Sequence, residues 1–153
     1  MNNWWRRWFR SVLTYLIIAV VTVLLMIYYE QAQTKNYIED YQRLGGSKVI
    51  NDISDTYKLI MERYSNYKLS REMKIKIVDR LNRLSAQLQE VDERINTREV
   101  DRRVDFSFVY HDIKLVNLSL SDASKDDIVP VIVLHAMEGL GELKREITYI
   151  RYH

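Results

Sequence analysis

An uncharged apolar run from Val12 to Tyr29 dominates the pattern of hydrophobic and polar positions along the chain. As an α-helix rising about 1.5 Å per residue, it would be roughly 27 Å long, close to the hydrocarbon thickness of a bilayer. We therefore predict a transmembrane helix at 12–29 after a short basic tail at 1–11. Aromatic and basic residues predict the membrane interfaces at its two ends, namely Trp4, Trp5, Arg6, Arg7, Trp8, Arg10, Tyr28 and Tyr29.

The distribution of charge predicts how the span is oriented. Three arginines precede the span without any acidic residue, and the first carboxylate of the chain, Glu30, follows it. Basic residues favour the cytoplasmic side, so we expect the amino terminus in the cytoplasm and the rest of the chain in the periplasm of a bacterium. A cleaved signal peptide is the alternative, but its apolar stretch would be shorter and would end in small residues. We therefore predict an uncleaved signal anchor.

The first half of the outer part, 30–96, has helical periodicity. Apolar residues between Tyr37 and Leu44 recur at helical spacing, which predicts that the membrane helix continues outwards until Gly45 and Gly46 end it. Ser47 is a suitable N-cap for the next helix. That helix carries an apolar stripe with steps of three and four, made of Ile50, Ile53, Tyr57, Ile60 and Tyr64.

A heptad pattern marks a further helix at 70–95, with Ser70 as its N-cap. Its apolar residues step by three and four over about three heptads, as in a coiled-coil seam, and are Met73, Ile77, Leu81, Leu84, Leu88, Val91 and Ile95. Burying such a stripe is strongly favourable, so something must cover it. The cover is either another part of the same chain, which would make the stripe a packing surface, or the same helix of a second copy, which would make it an oligomer seam.

Beyond Asn96 the apolar period changes to two, which predicts a sheet in 97–153. Alternating residues favour strands at 104–110, 116–120 and 147–152, and the β-branched run 128–137 favours a buried central strand, although a helix beginning near Pro130 is an alternative. Gly139-Leu140-Gly141 is expected to turn the chain. The predicted fold class is therefore α+β: a transmembrane helix, then helices and a mostly antiparallel sheet of about four strands in one domain.

The side chains suited to catalysis or metal binding are few. The chain has no cysteine, and its three histidines, His111, His135 and His153, lie on separate predicted strands without metal-ligand spacing. The outer part carries a net charge of about −1, which does not favour nucleic-acid binding. We therefore expect no enzyme activity, no cofactor, no metal and no nucleic-acid partner, and instead the lipid bilayer, further copies of the chain and a possible periplasmic protein regulator as partners.

Two stretches resemble a known family. Tyr28-Tyr29-Glu30-Gln31 with the tyrosine-rich segment 37–41, and Asp-Phe-Ser-Phe-Val-Tyr at 105–110, are similar to the T-type holins of T-even phages, as is the layout of one span and a small outer domain. The resemblance implies a protein that oligomerises in the inner membrane and opens lesions during host cell lysis. It also implies a periplasmic domain to which a regulator can bind, and no catalytic residues.

Two other classes of function stay open. A short basic tail, one span and a heptad helix also resemble the assembly-platform adaptors of secretion and pilus systems, whose periplasmic domain is ferredoxin-like. A membrane-anchored sensor is the other alternative, with a ligand pocket formed by the sheet. We expect such a sensor to continue into a cytoplasmic output domain, for which residues 1–11 are too short.

Overall fold

The computed structural model describes residues 3–66, 69–97 and 103–152, with side chains at 8–66, 69–97 and 103–150. Helices make up almost all of these residues. The elements, in chain order, are α1 (Asn3–Arg43), α2 (Gly46–Asn66), α3 (Arg71–Ile95), α4 (Ser107–Ser121), a short 3₁₀ turn (Ala123–Lys125) and α5 (Val129–Tyr152).

Helices α2 to α5 form a four-helix bundle. Each of them packs against two neighbours, in the closed order α2–α3–α4–α5–α2, and the last turns of α1 pack against α2, α3 and α5. Helices α3 and α4 are antiparallel, because Tyr110 at the start of α4 contacts Asp92 near the end of α3, and Asn117 further along α4 contacts Asn82. The bundle thus has one end that receives α1 and an opposite end that carries the α2–α3 and α4–α5 connections.

The apolar stripes of α2 and α3 form much of the core. On α2 the stripe is buried at Ile50, Ile53, Tyr57 and Ile60, which fits the predicted helical spacing. On α3 the heptad residues from Ile77 to Ile95 are all buried inside the same chain, while Met73 is half-buried against the core. Ser70 caps α3 as predicted, its hydroxyl accepting a hydrogen bond from the Met73 amide at 3.3 Å.

The predicted sheet is wrong. Within the ranges given above the structure contains no strand, and the part assigned to the sheet forms α4, the 3₁₀ turn and α5. In the stretch 104–110, the first three residues have no regular secondary structure and the rest form the first turn of α4, and 116–120 lies inside α4. The segments 129–137 and 147–152 belong to α5, so the helical alternative for 128–137, a helix beginning near Pro130, was the right one. The fold class is therefore all-α.

The helical spacing of α4 and α5 explains this outcome. Besides the alternation that suggested strands, α4 has buried residues in steps of four, three and four at Val109, Ile113, Val116 and Leu120. Residues of α5 continue the same steps from Val129 through Val133 and Ala136 to Leu140 and Leu143, all of them buried. Pro130 lies in the first turn of α5, where its missing amide hydrogen costs little. Burial on one helix face therefore outweighs the β-propensity of the valines and isoleucines.

Glycines 139 and 141 lie inside α5 and do not turn the chain. An added Cβ at Gly141 would have no neighbour within 4 Å, whereas at Gly139 it would lie 3.3 Å from Oδ2 of Asp112 and 3.4 Å from the Phe108 ring. Gly141→Ala should therefore stabilise the protein by about 0.5–1 kcal/mol, because alanine loses less backbone entropy in a helix. Thermal unfolding should show this gain for Gly141→Ala and a smaller gain or a loss for Gly139→Ala; equal gains would contradict the close packing at Gly139.

Ser47 does not have its predicted role. Helix α2 begins at Gly46, one residue earlier, so Ser47 lies in the first turn and does not precede it. The predicted break at the two glycines is present, since α1 ends at Arg43 and α2 starts at Gly46.

Candidate functional site

The apolar part of α1 is uncovered. Between Trp8 and Arg43, α1 contains one segment long and apolar enough to cross a membrane, and no residue of its most apolar stretch is buried by the rest of the chain. Its large side chains are exposed, for example Tyr15 and Leu25. No residue of the described bundle therefore competes with lipid for this surface.

The residues predicted at the membrane interfaces lie along α1. Trp8 and Arg10 lie just before the span, Tyr28 and Tyr29 lie at its end, and all four are exposed. The side chains of Trp4, Trp5, Arg6 and Arg7 lie outside the described set. Within the span, the hydroxyls of Thr14 and Thr22 donate hydrogen bonds to the carbonyl oxygens of Arg10 and Ile18, at 2.8 and 2.9 Å, so each threonine satisfies its polar group within its own helix.

Helix α1 continues without a break from the span into the core of the bundle. Tyr37, Ile38 and Tyr41, on the last turns of α1, are buried. The Tyr41 ring stacks on Phe106, with centroids 6.1 Å apart and an interplanar angle of 18°. Burial raises the pKa of Tyr41 to about 12. One continuous helix therefore contains both the apolar segment that could span a membrane and these core residues of the bundle.

Two glycines make the tight turn after α1 possible, for different reasons. Gly45 has a φ of 79°, in the left-handed region that glycine adopts at helix ends. A Cβ on Gly46 would overlap the buried ring of Tyr41. The pair therefore ends α1 and lets α2 start directly against it.

A polar network holds the end of α1 against α3 and α4. The Tyr37 hydroxyl accepts a hydrogen bond from the Val104 amide at 3.0 Å and donates one to Oδ1 of Asn96 at 3.4 Å. Asn96 in turn donates to Asp92, whose other carboxylate oxygen accepts a hydrogen bond from the Tyr110 hydroxyl at 3.0 Å. Burial is the main cause that raises the pKa of both tyrosines, so they remain protonated donors at neutral pH. The network links three helices at the end that faces the anchor.

A second polar cluster closes the opposite end. The Lys74 ammonium pairs with the Asp126 carboxylate, and both side chains are mostly buried. The Tyr64 hydroxyl also donates to Asp126, at 3.3 Å. This cluster joins the end of α2, the start of α3 and the α4–α5 connection.

One carboxylate lies in the core between α4 and α5. Asp112 is 8% exposed, and burial raises its pKa, with His135 and His111 opposing that shift. The hydroxyl of Tyr57 on α2 is fully buried and has no hydrogen-bond partner among the described residues. Asp112 is close enough to Tyr57 for its charge to add to burial in raising the pKa of that hydroxyl. Burying the Tyr57 hydroxyl without a hydrogen-bond partner among the described residues costs stability.

Surface grooves lie between several of the helices. A groove of about 510 Å³ separates the start of α3 from the end of α4, with Ile75, Val78 and Leu120 next to Arg71 and Lys74. A second groove, of about 380 Å³, lies between α2 and α3 and is lined by residues of both charges. In the described part of the chain no three His, Cys, Asp or Glu residues come together as metal ligands. His111 and His135 are exposed on α4 and α5, and His153 lies outside the described residues.

Comparisons of this chain with known proteins gave no match. No family model matches the chain, and neither the curated proteins nor the solved structures that were searched contain a match. The segment 105–110, on which the predicted resemblance to holins partly rests, leads into α4; Phe106 is a core residue there, and Asp105 accepts a hydrogen bond from the Ser107 amide.

Sequence reasoning missed the junction between anchor and bundle. The spacing of Tyr37, Ile38 and Tyr41 predicted a helix, but their partners are far along the chain, at Asn96, Val104 and Phe106. One signal was available: a tyrosine-rich turn that follows the polar residues after the apolar segment, and that precedes two glycines, is suited to docking a helix end against other helices.

Proposed function

We propose that this chain is a single-pass bacterial inner-membrane protein, with its amino terminus in the cytoplasm and its helical bundle in the periplasm, and that it works as a holin-like oligomer. Copies would gather in the bilayer and permeabilise it during phage lysis. The observation that carries the proposal is the uncovered apolar segment of α1, for which lipid or the spans of other copies are the fitting neighbours.

The charge pattern supports the proposed orientation, and the continuous helix α1 supports a role for the bundle in regulating the span. Arginines before the span and the first carboxylate after it favour the stated orientation. Because α1 carries both the span and the core residues Tyr37 and Tyr41, a protein that binds the bundle would also constrain the span. That is the coupling needed if a periplasmic regulator times the opening of the membrane.

The alternatives lose the features that favoured them. The adaptor was favoured by a heptad stripe free to dock a partner, but Leu81, Leu84 and Leu88 lie in the core of one chain. Its ferredoxin-like domain and the sheet pocket of a sensor both need strands, and the described residues form helices. The groove between α3 and α4 is the place where a sensor could still bind a ligand.

Expression of the full-length chain in bacteria tests the proposal. Growth should stop abruptly after a delay, with loss of the membrane potential, because lesions form only when anchored copies reach a critical concentration. A co-expressed endolysin should then lyse the cells. The chain without residues 1–29 is the control and should leave the potential intact. A lasting potential at high levels of the full-length protein in the membrane would contradict the holin-like function.

A further inference from the structure

An apolar patch lies on the outer face of α4 and α5. Val131, Leu118 and Leu134 expose 68%, 54% and 50% of their surface, and Ile128 and Leu115 extend the same surface. We call these five residues the α4–α5 patch. Val131 and Leu134 make the first turns of α5 apolar on the outer face as well as on the core face, which is the pattern of a helix that is covered on both sides. Something outside the described bundle is therefore expected to cover them.

The packing of α5 on α4 sets the height of these residues along the bundle. Gly139 of α5 lies against Asp112 and Phe108 of α4, and the two helices join through the connection after Ser121. In antiparallel helices with the same rise per residue, Leu118 is then level with Val131, and Leu115 is level with Leu134. The patch thus contains two apolar pairs at two heights, each with one member on either helix.

Two residues of opposite charge lie beside the patch, one on each helix. Lys114 is the exposed residue one turn before Leu118 on α4, and Glu138 is the exposed residue one turn after Leu134 on α5. By the same register Glu138 is level with position 111, roughly 4.5 Å along the bundle from Lys114, an offset that the long lysine side chain can span. Neither residue forms an ion pair within the described part of the chain. A surface with apolar pairs and opposite charges on its two halves is complementary to itself under a two-fold rotation.

We propose that the α4–α5 patch binds the same patch of a second copy of this chain, about a two-fold axis along the membrane normal. This axis keeps both anchors in one bilayer with the same orientation. With the bundle helices along it, Leu118 meets Val131 of the partner subunit, and Lys114 meets Glu138 of the partner subunit. This interface rests on the proposed function. It supplies a surface for assembly, which the heptad stripe of α3 cannot supply because that stripe is buried.

The size of the patch fits a contact between anchored molecules. Five partly exposed side chains amount to an apolar surface of a few hundred Å², less than the roughly 800 Å² per partner of a standard stable complex. Molecules confined to a membrane and held in one orientation have a raised effective concentration, so a smaller contact can suffice. The patch therefore suits an assembly that forms only as copies accumulate in the bilayer.

Cross-linking in membranes tests the interface, because the chain has no cysteine of its own. Two differently tagged full-length copies are co-expressed, one with Leu118→Cys and the other with Val131→Cys, and the membranes are oxidised. A mixed dimer of about twice the 18.4 kDa chain mass is expected. The matched control replaces Leu118→Cys by Ile75→Cys, which is equally exposed, at 54%, but lies on α3; it should give several-fold less product.

A charge in the patch provides the second measurement. Leu134→Asp, added to both tagged copies, should abolish the mixed dimer while leaving thermal unfolding nearly unchanged, because Leu134 is half exposed. Equal cross-linking from Ile75→Cys and Leu118→Cys, absence of the mixed dimer, or a dimer that survives Leu134→Asp would each overturn the proposal. The membrane potential of the same cells separates the two claims: a specific dimer without depolarisation contradicts only the holin-like function, and depolarisation without the dimer contradicts only this interface.

Discussion

Replacing Leu84 by aspartate should unfold the bundle. Leu84 lies in the middle of α3, is 6% exposed, and belongs to the same buried stripe as Leu81 and Leu88. The substitution removes a packed apolar side chain and places a carboxylate where no partner can hydrate or pair it. Such changes in a core cost more than about 4 kcal/mol, which is comparable to the whole stability of a small domain.

Far-UV circular dichroism and thermal unfolding of the full-length chain in lipid nanodiscs measure this effect. Ile75→Asp is the matched control, since Ile75 lies on the same helix but is 54% exposed; its effect should stay within about 0.5 kcal/mol. A Leu84→Asp protein that keeps its helicity and melting temperature but loses its oligomers would show that the stripe pairs between copies. That result would contradict the internal packing of α3.

Tyr41→Ala should separate the anchor helix from the bundle. The ring of Tyr41 is buried, stacks on Phe106, and fills the space that Gly46 leaves open. Its removal leaves a cavity between the end of α1 and the start of α4, and truncations of buried aromatic residues cost about 3–5 kcal/mol. The span itself should remain inserted, because none of its apolar side chains depends on this contact.

Limited proteolysis of the membrane-bound protein, together with thermal unfolding, checks the prediction for Tyr41. Cleavage should appear near Gly45 in the Tyr41→Ala protein and be absent from Gln42→Ala, whose side chain is the exposed neighbour on the same turn. Unchanged resistance and an unchanged melting temperature in Tyr41→Ala would mean that α1 is not held by the core.

The first half of the fold could be predicted from the sequence because its helices have clear signals. The stripes of α2 and α3 step by three and four, polar residues separate their members, and Ser70 and Gly45 mark helix ends. For these elements local pattern and tertiary burial agree, which is the condition under which sequence reasoning succeeds.

The second half was mispredicted because its helices carry apolar residues on two faces. Leu118 lies between the buried Val116 and Leu120, so α4 shows an alternation of period two as well as helical steps. In α5, the exposed Val131 and Leu134 adjoin buried residues, and the segment therefore resembled a strand buried on both sides. For the predicted strands at 116–120 and 128–137, the residues that misled the prediction include members of the α4–α5 patch, so that part of the error and the proposed interface have the same physical origin.

The candidate site could be predicted only in part. The apolar span and its flanking residues are local features and need no tertiary information. The network of Tyr37, Asn96 and Val104 joins residues about 60 positions apart, with hydrogen bonds that no local pattern indicates. The burial of Asp112 could not be predicted either, because in the sequence a buried aspartate looks the same as a solvated one.

The side of the membrane on which each part lies is the most direct test of the proposed function. A membrane-impermeant maleimide is applied to cells whose outer membrane has been permeabilised, using Ala86→Cys on the exposed face of α3 and Asn2→Cys in the basic tail, in a chain otherwise free of cysteine. We predict that Ala86→Cys is labelled in these cells and that Asn2→Cys is labelled only after the inner membrane is disrupted. Labelling of Asn2→Cys with protection of Ala86→Cys, or labelling of both in a protein that washes off the membrane, would contradict a single-pass anchor with a periplasmic bundle.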